Sequence, residues 1–139
     1  MAGYSGTPLP KKLGIKPDHR ALFLGAPESF AAELGELPPG VEIADHARAG
    51  GERDVIVWFV RSERELRARF APLAAKLAVA GGFWIGWPKK SSGVPTDLDE
   101  NVVREVGLGQ GLVDNKVCAI DDTWSGLRFV IRVKDRAKR

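Results

Sequence analysis

The stretch that decides the fold is Leu13–Ser29, LGIKPDHRALFLGAPES. Its apolar run, Ala21–Leu24, predicts a buried strand, and Gly25 predicts a tight turn after it. A helix is predicted from Pro27 onward, because proline is tolerated in the first turn of a helix. A strand, a glycine turn and a helix in this order are typical of the opening unit of a nucleotide-binding α/β domain.

The rest of the chain alternates strands with helices. Val55–Val60 and Phe83–Trp87 are continuous apolar runs, which is typical of strands buried on both faces of a parallel sheet. This pattern predicts an α/β three-layer sandwich with a mostly parallel sheet of about six strands and a C-terminal antiparallel hairpin. The other predicted elements are a short helix opened by Thr7 and Pro8, a helix over Pro27–Leu37, a strand over Val41–Ala47, a helix that begins with the capping box Ser62–Glu65 and extends to Leu77, a helix capped by Thr96 or Asp97, and the hairpin strands Lys116–Ile120 and Leu127–Val133.

Length and composition indicate one globular domain over residues 1–139, with a loose amino terminus at residues 1–6. The hydrophobic fraction of 44% and the charged fraction of 28% are those of a folded protein. No apolar run approaches the roughly 18 residues that span a membrane, and no signal-peptide pattern opens the chain. The single cysteine, Cys118, excludes an internal disulfide. We therefore expect a cytoplasmic protein without a membrane partner.

The net charge of +3 is concentrated in the C-terminal tail, Lys134–Arg139, so that the rest of the chain is neutral. Nucleic-acid binding usually requires a broad basic face. Binding of nucleic acid through this tail is therefore the weakest of the functional alternatives, and a solvated chain end is the simpler interpretation.

Several short motifs resemble class I S-adenosylmethionine-dependent methyltransferases. Leu13–Arg20 is similar to the lead-in of that family, which reads like LGIKPGDR. Asp54 before an apolar strand resembles the approach to its fourth strand, and Ala80–Gly82 before a strand that ends at Pro88 resembles its fifth. The resemblance implies a Rossmann-like fold. The chain as a whole is also similar to a small bacterial protein family with no assigned function.

The first motif departs from that family. The family has an acidic residue in the first strand and then G-x-G-x-G, where this chain has Phe23 and then Gly25, Pro27 and Ser29. Proline brings a ring and removes an amide donor at the position where a ligand would approach the backbone. One strand and one helix of the family are also missing after the second strand. We therefore expect no cofactor, with S-adenosylmethionine in an atypical pose as the alternative.

Asp45 follows the second predicted strand, 20 residues after Gly25. An acidic residue at this place in a nucleotide-binding unit binds a ribose hydroxyl. A solvated aspartate at a strand end is the alternative interpretation.

The carboxyl ends of parallel strands are where α/β sheets bind ligands. After Phe83–Trp87, Trp87 could stack on a ligand, and Lys89 and Lys90 could hold an anion with help from Ser62 at a helix start. A solvated basic loop below a core tryptophan is the alternative. The full set of predicted ligand-binding residues is Gly25, Pro27, Ser29, Asp45, Ser62, Trp87, Lys89, Lys90 and Ser91.

Trp124 lies in the predicted hairpin turn, where it could pack on the sheet or mark a protein interface. No catalytic cluster and no metal-ligand spacing is evident, and Cys118 is predicted to be an inert thiol. The leading hypothesis is therefore a non-methylating Rossmann-like domain that binds a small anionic ligand or a protein partner. A reduced methyltransferase with an atypical cofactor pose is the alternative.

Overall fold

A computed structural model describes the backbone of residues 7–138 and the side chains of residues 7–137. The loose amino terminus predicted for residues 1–6 lies outside the described residues, as does Arg139. The helices and strands are α1 (Leu9–Leu13), β1 (Arg20–Leu24), α2 (Phe30–Leu34), β2 (Glu42–Ala44), β3 (Arg53–Phe59), α3 (Glu63–Ala74), β4 (Leu77–Pro88), α4 (Glu100–Gly109), β5 (Leu112–Ala119) and β6 (Trp124–Ile131).

The six strands form one sheet in the order β2-β1-β3-β4-β6-β5. The pairs β2–β1, β1–β3 and β3–β4 are parallel, and β6 is antiparallel to both β4 and β5. The predicted mixed sheet with a closing hairpin is confirmed. The parallel strands share one carboxyl edge, which therefore carries the loops after β1, β2, β3 and β4.

Alternate residues of β3 face two different hydrophobic layers. Val55, Val57 and Phe59 pack in the cluster that includes α1 and α2. Ile56 and Trp58 pack in the cluster that includes α3 and α4. All five side chains are at most 5% exposed, so β3 is buried on both faces, as its sequence predicts. The result is a three-layer sandwich.

Three predicted helix boundaries are wrong. The helix predicted over Pro27–Leu37 is helical only at Phe30–Leu34. Leu77, predicted at the end of α3, instead begins β4 and pairs with Arg53, so a backbone partner on a neighbouring strand overrides helical spacing. The cap of α4 is Asp99, whose carboxylate accepts from the Val102 amide at 2.9 Å, and neither Thr96 nor Asp97.

The hairpin is longer than predicted and its turn is shorter. β6 begins at Trp124, which the sequence placed in the turn. Asp121 is 6% exposed, and its carboxylate accepts from the amides of Thr123 and Trp124 at 2.8 and 2.7 Å. These two bonds tighten the turn, and the strand begins at Trp124, three residues before the predicted start at Leu127.

A crossover loop (residues 45–52) connects β2 directly to the central strand β3. This agrees with the sequence prediction that one strand and one helix are missing at this point. Ala44 and Ala47 pack against the cluster that contains α3 and α4. The crossover loop therefore runs on that side of the sheet, and β2 remains at the sheet edge.

The C-terminal tail forms a 3-10 helix over Val133–Lys138. Within it, the Arg136 guanidinium donates to the carbonyl of Ile131 at 3.3 Å. The predicted solvated chain end is therefore helical in its described part, with Lys134 and Ala137 exposed and the Arg136 side chain bound to the end of β6.

Gly107 of α4 supplies the first testable prediction. A Cβ at this residue would collide with the ring of Phe129 in β6. We expect Gly107→Ala to lower the free energy of unfolding by about 1–3 kcal/mol, because overpacking forces the helix away from the sheet. Urea denaturation followed by circular dichroism measures this difference.

Gly109, in the same helix, is the matched control. A Cβ there meets nothing within 4 Å. Gly109→Ala should leave the free energy of unfolding unchanged or raise it by up to about 1 kcal/mol, since alanine loses less conformational freedom in a helix. Equal losses in the two variants would contradict the described packing of α4.

Candidate functional site

The candidate site is a cleft at the carboxyl edge of the sheet, between α2 and the edge strand β2. Its volume is about 450 Å³, within the range of small-molecule sites. The turn after β1 and the residue after β2 form its polar rim, and apolar side chains of the two elements form its walls. The lining residues are Phe23, Gly25, Ala26, Pro27, Glu28, Phe30, Ala31, Leu34, Ile43 and Asp45.

The turn after β1 is held close to β3. Gly25 has φ of +68°, and a Cβ on it would lie 2.7 Å from the carbonyl oxygen of Phe59. Glycine is therefore required here both by the backbone conformation and by the close approach of the neighbouring strand. This contact fixes where the turn projects at the carboxyl edge.

The amide groups of this turn are available to a ligand. Those of Ala26, Glu28 and Ser29 donate no hydrogen bond within the part of the chain that the structure describes. Ala26 and Glu28 line the cleft, and Pro27 between them has no amide hydrogen. Since α2 has only five residues, its dipole adds little, and the turn itself offers the donors.

Asp45 is exposed and lines the same cleft as Gly25 and Pro27. Its carboxylate has no hydrogen-bond or ion-pair partner among residues 7–137. The structure therefore brings together three of the residues predicted from the sequence. Ser29 lies at the start of α2, is exposed, makes no capping hydrogen bond with its side chain, and is not among the residues that line the cleft.

The start of α3 is occupied by groups of the protein itself. The Ser62 hydroxyl accepts from the Glu65 amide at 3.0 Å, which is one half of the predicted capping box. The Glu65 carboxylate bonds Arg69 instead of completing the other half. The Asp97 carboxylate accepts from the Glu63 amide at 2.8 Å. A protein carboxylate therefore already lies at the start of α3, and a role of Ser62 in binding an anion stays a prediction.

The loop after β4 offers cations without a stacking surface. Trp87 is 5% exposed and belongs to the cluster with α3 and α4, so its predicted role as a stacking face is wrong. Lys89 is half-buried, while Lys90 and Ser91 are exposed. The Lys89 amide donates to the Thr123 carbonyl at 2.8 Å, which ties this loop to the hairpin turn. Both lysine side chains have no ion-pair partner among the described residues.

Trp124 is 7% exposed and packs edge to face against Phe59, with ring centroids 5.2 Å apart. Of the two alternatives drawn from the sequence, packing on the sheet is therefore the one that the structure shows.

Residues 7–137 contain no group of three or more His, Cys, Asp or Glu side chains that could hold a metal ion. No described helix is long and apolar enough to cross a membrane. The Cys118 thiol is half-buried in β5. Burial raises the pKa of this thiol, and the positive charges of Lys12 and Lys116 oppose the rise.

Sequence reasoning missed the apolar walls of the cleft. Ile43 is 51% exposed on β2, and Ala31 is exposed on α2. Both line the cleft beside Phe30. The sequence signal for Ile43 is an apolar residue in β2. Because β2 is an edge strand, the side chain of Ile43 is left partly uncovered.

Comparisons with known proteins support the fold. No protein-family model and no curated protein sequence matches the chain. Among solved structures, it is similar to a magnesium protoporphyrin IX methyltransferase from Synechocystis PCC 6803 with bound S-adenosylmethionine, at 12% identity and a TM-score of 0.56, over 88% of this chain and 74% of that one. It is also similar to a ribosomal protein L11 methylase from Lactobacillus delbrueckii subsp. bulgaricus, at 13% identity and a TM-score of 0.55, over 88% and 74%.

A third similar structure is an S-adenosylmethionine-dependent methyltransferase from Aquifex aeolicus, at 13% identity and a TM-score of 0.52, over 86% of this chain and 85% of that one. These likenesses confirm the predicted Rossmann-like, methyltransferase-like fold. The expectation of no cofactor is corrected by the same comparison. The Synechocystis enzyme holds S-adenosylmethionine in one structure and S-adenosylhomocysteine in another, so a fold of this kind is no ground for expecting that a cofactor is absent.

The pKa of Cys118 gives a testable prediction. Because the thiolate is the reacting form, iodoacetamide should modify Cys118 slowly at pH 7, and the rate should keep rising above the ordinary thiol pKa of about 8.5. Lys12→Ala removes a cation that stabilises the thiolate, so its pKa should rise further and the rate at pH 8 should fall. Mass spectrometry of the alkylated protein over time measures both rates.

Lys16→Ala is the control for this experiment, because the charges that act on the thiol are those of Lys12 and Lys116. A midpoint of the rate profile at or below pH 8.5 would contradict the described burial of Cys118.

Proposed function

We propose that this chain is an S-adenosylmethionine-dependent methyltransferase of reduced size, which holds its cofactor in the cleft between α2 and β2. The observation that carries the proposal is the free Asp45 carboxylate on the same cleft as the unbonded amides of Ala26 and Glu28. The likeness of the fold to S-adenosylmethionine-binding structures supports it.

The donor set fits the chemistry of this cofactor. Asp45 would accept hydrogen bonds from ribose hydroxyls, as an acidic residue after the second strand does in nucleotide-binding folds. The amides of Ala26 and Glu28 would donate to the polar end of the molecule, and Ile43 and Phe30 offer apolar surface. Pro27 removes one donor at the centre of the turn, so the cofactor must use the donors on either side of it.

When bound, S-adenosylmethionine supplies a methyl group on a positively charged sulfur. The task of the protein is then to hold an acceptor in line with that group and to exclude water, which is mainly a matter of positioning. Arg61, Lys89 and Lys90 follow β3 and β4 at the same edge of the sheet as Gly25. None of the three has an ion-pair partner among the described residues, and we propose that the acceptor is therefore a small anion.

Binding of S-adenosylhomocysteine, measured by isothermal titration calorimetry, tests the proposal. The unmodified protein should bind it, and Asp45→Ala should raise Kd by about tenfold or more, the typical effect of losing a hydrogen bond to a charged group. Thermal unfolding with and without the ligand should show the same order, because a ligand that binds only the folded state raises Tm.

Glu52→Ala removes an exposed carboxylate from the other end of the crossover loop and should leave Kd unchanged. The double variant Lys89→Ala/Lys90→Ala should also keep Kd within about twofold, since both lysines lie beyond β3 from the cleft. Folded protein that binds neither S-adenosylmethionine nor S-adenosylhomocysteine at millimolar concentration would refute the proposal.

A further inference from the structure

The opposite edge of the sheet, where β1 and β3 begin, carries a second concentration of positive charge. Arg20 opens β1 and Arg53 opens β3. Both guanidinium groups donate to the same acceptor, the carbonyl oxygen of Gly50 in the crossover loop, at 3.2 and 2.8 Å. The Lys76 ammonium donates to the adjacent Ala49 carbonyl at 3.2 Å. Three cations therefore converge on two consecutive carbonyl groups.

Arg53 is the most deeply placed of the three, with 5% of its surface exposed. Its buried Nε has no hydrogen-bond partner among the described residues. Burial lowers the pKa of Arg53, and the charge of Arg20 lowers it further, while Glu42 raises it. Arginine does not lose its proton in proteins, so the guanidinium of Arg53 stays positively charged although it is buried.

The carboxylates of this region do not neutralise Arg53. Glu42 lies 3.4 Å from Nε of Arg20 and its side chain is 72% exposed. Asp54 accepts from the main-chain amide of Arg20 at 2.8 Å. Within the described part of the chain, Arg53 has no ion-pair partner. Since the side chain of Arg20 is 42% exposed, a ligand can approach the pair from solvent over Arg20.

We propose that Arg20 and Arg53 form a binding site for a small tetrahedral oxyanion such as phosphate or sulfate, at the end of the sheet opposite the cofactor cleft. Two guanidinium groups held side by side match the several acceptor oxygens of such an anion. Glu42 competes with the anion for Arg20. The anion supplies the direct ion-pair partner that Arg53 does not have among the described residues, where Glu42 acts on it only at a distance.

The test is a titration of the full chain with inorganic phosphate at constant ionic strength, with chloride as the reference anion. Phosphate should raise Tm more than chloride does, and Arg20→Gln should raise the phosphate Kd by about tenfold. Glu42→Gln should lower that Kd, because it removes the competing carboxylate. This gain of affinity keeps the test decisive if an arginine variant folds poorly.

Arg64→Gln is the matched control, since Arg64 is exposed on α3 and has no partner among the described residues. It should leave phosphate binding unchanged. In the ¹⁵N–¹H spectrum, phosphate should shift the amides of Gly50 and Gly51 and the Nε signals of the arginine pair. An equal effect of phosphate and chloride on Tm would overturn the proposal. So would an unchanged Kd in both Arg20→Gln and Glu42→Gln, or shifts confined to Lys89 and Lys90.

Discussion

The burial of β3 on both faces is the constraint on which the rest of the structure depends. A strand with apolar side chains in both directions requires a hydrophobic layer on each side, and α1–α2 and α3–α4 supply them. The pairing register of the neighbouring strands is fixed in consequence, because a shift by one residue would turn their apolar side chains to the wrong face. The indole of Trp84, on β4, donates to the Leu13 carbonyl at 3.0 Å and ties α1 to the sheet at a fully buried point. This packing fixes the ends of the strands, and therefore the positions from which the loops at the carboxyl edge start.

Local patterns predicted the parts of the fold that depend on neighbouring residues. The apolar run at Val55–Val60 and the capping role of Ser62 are examples, since burial and helix starts follow from adjacent side chains. The sequence could not show that the Asp97 carboxylate binds the Glu63 amide, because the two residues are 34 positions apart along the chain. The place of Asp45 on the same cleft as Gly25 was predictable from the spacing of the two residues, whereas the walls of the cleft come from α2 and β2, which no spacing brings together.

The crossover loop takes the chain from the edge strand to the centre of the sheet in a few residues. In place of a further helix and strand, residues 45–52 pass directly from β2 to β3, and cationic side chains bind the carbonyls of Ala49 and Gly50. The Asp45 end of the loop borders the cleft, while the Gly50 end lies at the start of β3. Because the loop is bound at its Gly50 end, the positions that Asp45 can take at its other end are limited.

The four tryptophans are intrinsic fluorescence probes of the two hydrophobic layers. Trp58 and Trp87 belong to the layer with α3 and α4, and Trp84 and Trp124 belong to the layer with α1 and α2. All four are at most 7% exposed. Their fluorescence is therefore that of indoles shielded from water. Variants that keep only the two tryptophans of one layer, with the other two replaced, would report on the packing of that face of the sheet alone. Loss of one layer before the other during unfolding would then appear as two spectral transitions instead of one.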